Sequence, residues 1–119
     1  MRRNLRAMSD QSNVSRKNTI SSSRPNVPQT FELLNHTIEV GYSPALDYAG
    51  EYGSAHYAQN QICLGTDDKI SPTVYHHTFC HELVHFLFHY AGRDDLAEDE
   101  VLVDTVGGLL AQYESTKRP

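Results

Sequence analysis

A chain of 119 residues with a net charge of −5 and two cysteines has room for one small domain and no disulfide framework. The charge is divided: residues 1–30 hold six basic side chains against Asp10 alone, and the remainder holds four against fourteen acidic ones. An acidic folded part excludes nucleic acid as its main partner, and no apolar run reaches the ~18 residues of a membrane span.

Residues 1–30 are rich in Ser, Asn, Arg and Pro, which predicts a disordered, basic, solvated arm. No apolar stretch follows its arginines, so a signal peptide is not expected, and Met8 is a second candidate start. The domain is expected over 31–116, with 117–119 as a tail. "HTIEVGYS" alternates well enough for a strand over 37–42, stopped at Ser43-Pro44. Short strand-like pieces follow over 55–58 and 61–64, as a hairpin or small meander. Ser71-Pro72 then offers an N-cap and a proline at the first helical position. The helix it opens should run about 20 residues to Gly92, which suits the left-handed position past a helix end. In "DLAEDE", Asp95 with Glu98 three residues later forms a capping-box pattern, which predicts a second helix ending at 113–115. The fold class is α+β: a small, mostly antiparallel sheet packed against two helices.

The first helix poses a problem. "TVYHHTFCHELVHFLFHYAG" is apolar almost all round, yet it carries five of the chain's seven histidines and a glutamate. Such groups are costly to bury without partners. Within it stands "HELVH", an HExxH pattern on a helix. His81 and His85, four apart, share one face and can reach one metal ion, while Glu82 points partway round toward a water. This is the arrangement by which zinc peptidases combine two ligands and a general base.

A third ligand is needed. His89 lies about 12 Å along the helix from His81, too far to share its ion. No histidine follows His89, so a downstream ligand must be a carboxylate. "EVLVD" supplies Glu100 and Asp104 on one helix face. Glu100 is the expected third ligand, with Glu98 as its rival, and Asp104 can accept the free ring N–H of a ligand histidine and hold its tautomer. Gly107 and Gly108 would let the two helices approach closely.

These residues resemble the gluzincin peptidases, in which HExxH precedes a helix carrying ExxxD. Among them, the order "ICLG", "HELVHFLF", "EDEVLVDTVGGLLAQ" is most similar to the ImmA/IrrE-like metallopeptidases, in the small form found in phages and mobile elements. The resemblance spans roughly residues 36–114 and is strongest from His77 onward. The family more often shows Asn or Asp before Phe-Ala where this chain has "DTVGG", and a small residue in place of Val84. It implies a minimal zincin-like fold and one zinc per chain, held by His81, His85 and Glu100 with Glu82 as base. It also implies a cytoplasmic enzyme (host-cell cytoplasm if phage-encoded) cleaving a protein or peptide, with a repressor-type regulator as one candidate. The alternative is a non-catalytic zinc domain using the same ligands for regulation or binding. A SprT-like protease fits less well, since that family uses a downstream histidine.

Other expectations follow from residue type. His56, Tyr57 and Tyr52 are candidates to stabilise an oxyanion, and Gln61–Leu64 or 54–58 could offer a sheet edge to an extended peptide. His77 and His89 are read as cleft-rim or hydrogen-bonded side chains, His76 as surface, and Cys63 and Cys80 as reduced core thiols.

Overall fold

In the computed structural model, which describes residues 27–119 apart from residue 68, the sheet begins one element earlier than the alternation indicates. Strand β1 (Thr30–Leu33) pairs antiparallel with β2 (His36–Tyr42), Leu33 opposite His36. Two residues turn the corner, Leu34 and Asn35, with φ of 49° and 67°. Positive φ at both turn residues matches the right-handed twist of the flanking strands. Ordered structure therefore reaches into the stretch assigned to the arm, since residues 27–30 are described and Val27 packs against the core. The rest of the expected arm lies outside the described residues.

Ser43-Pro44 ends β2 and also starts a short helix, α1 (Pro44–Ala49). The Ser43 hydroxyl accepts the Ala45 N–H at 3.2 Å, and Gly50 closes the helix at φ 75°. Strand β3 (Gly53–His56), a 3-10 turn (Tyr57–Gln59) and β4 (Gln61–Leu64) follow. The strand order is β1-β2-β4-β3. β3 and β4 form the expected antiparallel hairpin, but β4 lies parallel to β2, so the sheet is mixed. The fold remains α+β. β4 is interior, which removes Gln61–Leu64 as an edge for a peptide; β3 occupies that edge.

The long helix α2 (Pro72–Tyr90) crosses the sheet and carries the HELVH residues. Its N-terminus is capped as expected: the Ser71 hydroxyl accepts the Val74 N–H, and Pro72 opens the first turn. Gly92, at φ 77°, lies just past its end. Phe79 and Phe86 pack with Ile38, Val40, Ile62 and Leu64 of the sheet. Each fully buried side chain of this size contributes about 1.5–3 kcal/mol. Tyr75 is buried there too, and its hydroxyl donates to the Gly65 carbonyl at 2.5 Å.

The C-terminal region departs from expectation. Instead of one helix capped by Asp95, there is a short helix α3 (Asp94–Ala97), a break, and the long helix α4 (Glu100–Thr116). Asp95 lies inside α3 and pairs with Arg93, and Glu98 caps the C-terminal end of α3. The N-cap of α4 is Asp99, whose carboxylate accepts the Leu102 N–H at 3.1 Å. An acidic run offers several residues able to cap. Among the described residues, no helix is long and apolar enough to cross a membrane.

Candidate metal centre

The α2 helix presents His81 and His85 on one face, ring centroids 5.1 Å apart, as four-residue spacing requires. Both are buried, His85 completely. Packed against them is α4, which comes close because of Gly107. A Cβ there would lie 2.9 Å from the His81 Cα and 3.0 Å from its backbone nitrogen. No residue larger than glycine fits without moving a helix. At Gly108 a Cβ would meet only the His77 ring, at 3.4 Å.

Each imidazole is held through its Nδ1. His81 Nδ1 lies 3.0 Å from Asp104 Oδ1, and His85 Nδ1 lies 2.7 Å from the Ala97 carbonyl oxygen. A carboxylate and a carbonyl only accept, so both Nδ1 atoms carry the hydrogen. For a neutral ring this leaves the Nε2 lone pair facing inward. Both Nε2 atoms point at one carboxylate: His81 Nε2 is 3.1 Å from Glu100 Oε1, and His85 Nε2 is 3.5 Å from Glu100 Oε2. Three acceptors thus converge, and such an arrangement needs a positive charge among them.

The spacing suits a metal ion. One ligand atom from each of His81, His85 and Glu100 lies within 4.8 Å of the others. Ligands about 2.1 Å from a tetrahedral ion lie about 3.4 Å from one another. Donor type agrees as well, two imidazoles and a carboxylate being a common zinc set. Among the described residues this group alone meets that test, and Glu98, exposed at the end of α3, is not part of it. Asp104 is where the sequence places it, behind His81. The Ala97 carbonyl was not foreseen, because a backbone acceptor leaves no mark in residue type.

Glu82 is fully buried, and its charge is felt at Cys63 on β4. Both cysteines are free and buried. Burial, aided by Glu82, pushes the Cys63 thiol up to about 12, and burial, aided by Glu114, pushes Cys80 to about 11. Neither contributes a ligand to the group.

The remaining histidines and tyrosines separate by position. His77 and Tyr52 line a cleft together with His81 and Asp104. His56 is 1 % exposed on β3, bonded to the Ser54 hydroxyl at 2.7 Å. Tyr57 stacks on His89 with ring centroids 4.2 Å apart, and His89 Nδ1 meets Asp94 at 2.8 Å. His89 is thus a hydrogen-bonded side chain, one turn beyond the centre. His76, expected at the surface, is 7 % exposed because it lies in the groove between α2 and α4. Comparison with known protein families, with curated proteins and with solved structures gave no match in any of the three.

Proposed function

We propose that the chain is a zinc-dependent peptidase with a gluzincin-type site, most similar in its motifs to the ImmA/IrrE-like enzymes. The observation that carries the reading is the convergence of His81, His85 and Glu100 with both rings fixed from behind by acceptors. Holding Nδ1–H in this way turns both Nε2 lone pairs toward a common point before any ion arrives. When bound, zinc supplies a positive centre that acidifies water toward a pKa of about 7 and polarises a peptide carbonyl.

The chain's own residues account for the rest. Glu82 takes the proton from the attacking water and delivers it to the departing amine. Asp104 accepts the His81 Nδ1–H and so keeps the ring oriented. Of the three candidates for stabilising the oxyanion, Tyr52 is the one that lines the cleft, so its hydroxyl is assigned that role. The edge strand β3 is the element on which an extended peptide would add.

The complete burial of Glu82 favours a second reading, a non-catalytic zinc domain that binds a regulator, since a base has to meet water. Zinc analysis and peptide cleavage, run side by side on four proteins, separate these readings. The wild type and Glu98→Ala should retain about one zinc per chain, and Glu100→Ala should lose it. Glu82→Gln should keep the zinc and lose all cleavage. Zinc retained in Glu100→Ala would refute the metal centre. A zinc-loaded wild type that cleaves nothing in a broad peptide library would leave the binding domain.

A further inference from the structure

Beside the metal centre is a cleft of about 270 Å³. That is below the ~300–1,000 Å³ of sites for whole small molecules and suits a single side chain. It is lined by Thr73, Val74, His77, Thr78 and His81 of α2, by Tyr52 just ahead of β3, and by Asp104 of α4. Val74, the Tyr52 ring and the threonine methyls give the lining its apolar surface, and Asp104 is its one carboxylate.

That carboxylate is only half used. Asp104 Oδ1 faces His81 Nδ1 at 3.0 Å and His77 Nε2 at 3.6 Å, and no described residue donates to Oδ2. The His77 contact is too long for a hydrogen bond, and its Nε2 has no hydrogen-bond partner among the described residues. The side chain of Asp104 is 63 % exposed and lines the cleft. No lysine or arginine lines the cleft, and the chain from residue 31 onward carries fourteen acidic side chains against four basic ones. Among the lining residues only the histidines could oppose an entering cation, and zinc, when bound, would lie beyond the His81 ring on its Nε2 side, away from the Nδ1 side that Asp104 holds.

We propose that this cleft is a selectivity pocket for a lysine or arginine side chain of the substrate, next to the bond that is cut. The aliphatic stem lies along Val74 and the Tyr52 ring, and the charged head reaches Asp104 Oδ2. An uncharged side chain of the same length would gain the stem contacts only. The identity of the substrate rests on the peptidase reading, but binding of a basic side chain does not.

The test uses the zinc-loaded full chain and three probes: the N-acetyl amides of arginine, citrulline and glutamate. Binding is followed by the NMR shifts of the Thr78 methyl and the His77 ring. An ion pair to a half-exposed carboxylate should make the arginine amide bind about fivefold more tightly than the citrulline amide. Raising salt to ~1 M should remove the difference. Val74→Lys or Thr73→Lys, both at exposed sites on the cleft rim, should abolish the arginine preference while leaving melting temperature and zinc content unchanged. Equal binding of arginine and citrulline amides, a preference for glutamate, or shifts confined to other residues would each overturn the pocket. Cleavage of matched peptides then divides the two proposals. Turnover without a basic preference refutes the pocket, and arginine binding without turnover refutes the peptidase and keeps the pocket.

Discussion

Replacing Gly107 by alanine adds one methyl group where the helices that carry His81, His85 and Glu100 touch. The new Cβ would sit 2.9 Å from the His81 Cα, and ordinary contact begins at 3.4 Å, so the helices must separate by about 0.5 Å. The neighbour is backbone, which cannot turn aside as a side chain can. Overpacking of this kind costs about 1–3 kcal/mol, and alanine returns about 1 kcal/mol through its better helix propensity. The net loss of stability is therefore small, about 0–2 kcal/mol. The effect on the metal centre should be larger. Glu100 and Asp104 ride on the displaced helix, and contacts of 3.1 and 3.0 Å to His81 would stretch toward 3.5 Å. Loss of such supporting contacts lowers metal affinity about 10–100-fold. Gly108→Ala is the control, because its Cβ meets only a histidine side chain at 3.4 Å. Zinc titration against a competing chelator, with thermal melts of both variants, reads both quantities. If Gly107→Ala binds zinc as tightly as Gly108→Ala, the close helix contact does not set the geometry of the centre.

Two further outcomes follow from burial. Removing zinc with a chelator should lower the melting temperature by about 10–20 °C, from about 2.7 kcal/mol of linkage at a hundredfold excess of ligand over its dissociation constant; an unchanged melting temperature would contradict a metal held by the core. Cys63 and Cys80 should resist alkylation at about pH 8 in the folded chain and react fully once it is unfolded, since their thiols are raised to about 12 and 11 and stay protonated. The same shifts fix a direction for stability. Below the ordinary thiol value of 9.0 both states are protonated and nothing is lost, whereas from 9.0 to about 12 the unfolded chain ionises first and stability falls.

The long helix was legible because its signals are local. Ser71-Pro72 at one end and Gly92 at the other are read from residue type alone, and the helical period then places His81 and His85 together. Glu100 and Asp104 were legible by elimination and spacing. The misjudged parts depend on contacts between distant segments. Nothing in "FELLNH" marks a two-residue turn as Asn-Gly would, so β1 was missed, although Asn35 accepts the left-handed backbone. The parallel pairing of β4 with β2 follows from a crossover through α1 and β3, which alternation cannot reveal. Burial of His76 arises from α4, whose residues from Gly108 to Thr116 share its groove from more than thirty positions further along the chain.

The break between α3 and α4 is the most consequential of these differences. In a continuous helix from Asp95, the Ala97 carbonyl would be bonded to the N–H four residues on. Because α3 stops at Ala97, that carbonyl is one of the orphan acceptors at a helix end, and the His85 ring takes it at 2.7 Å. Two residues later Asp99 restarts the helix, which puts Glu100 at the first helical position, where an anion is favoured. One interruption thus positions His85 from behind and brings Glu100 to the two histidines in front. Asp104, one turn along the restarted helix, does for His81 what Ala97 does for His85. The acidic run "DDLAEDE" is therefore more than a solvated surface. Its caps decide where one helix ends and the next begins, and the ligand geometry depends on that boundary.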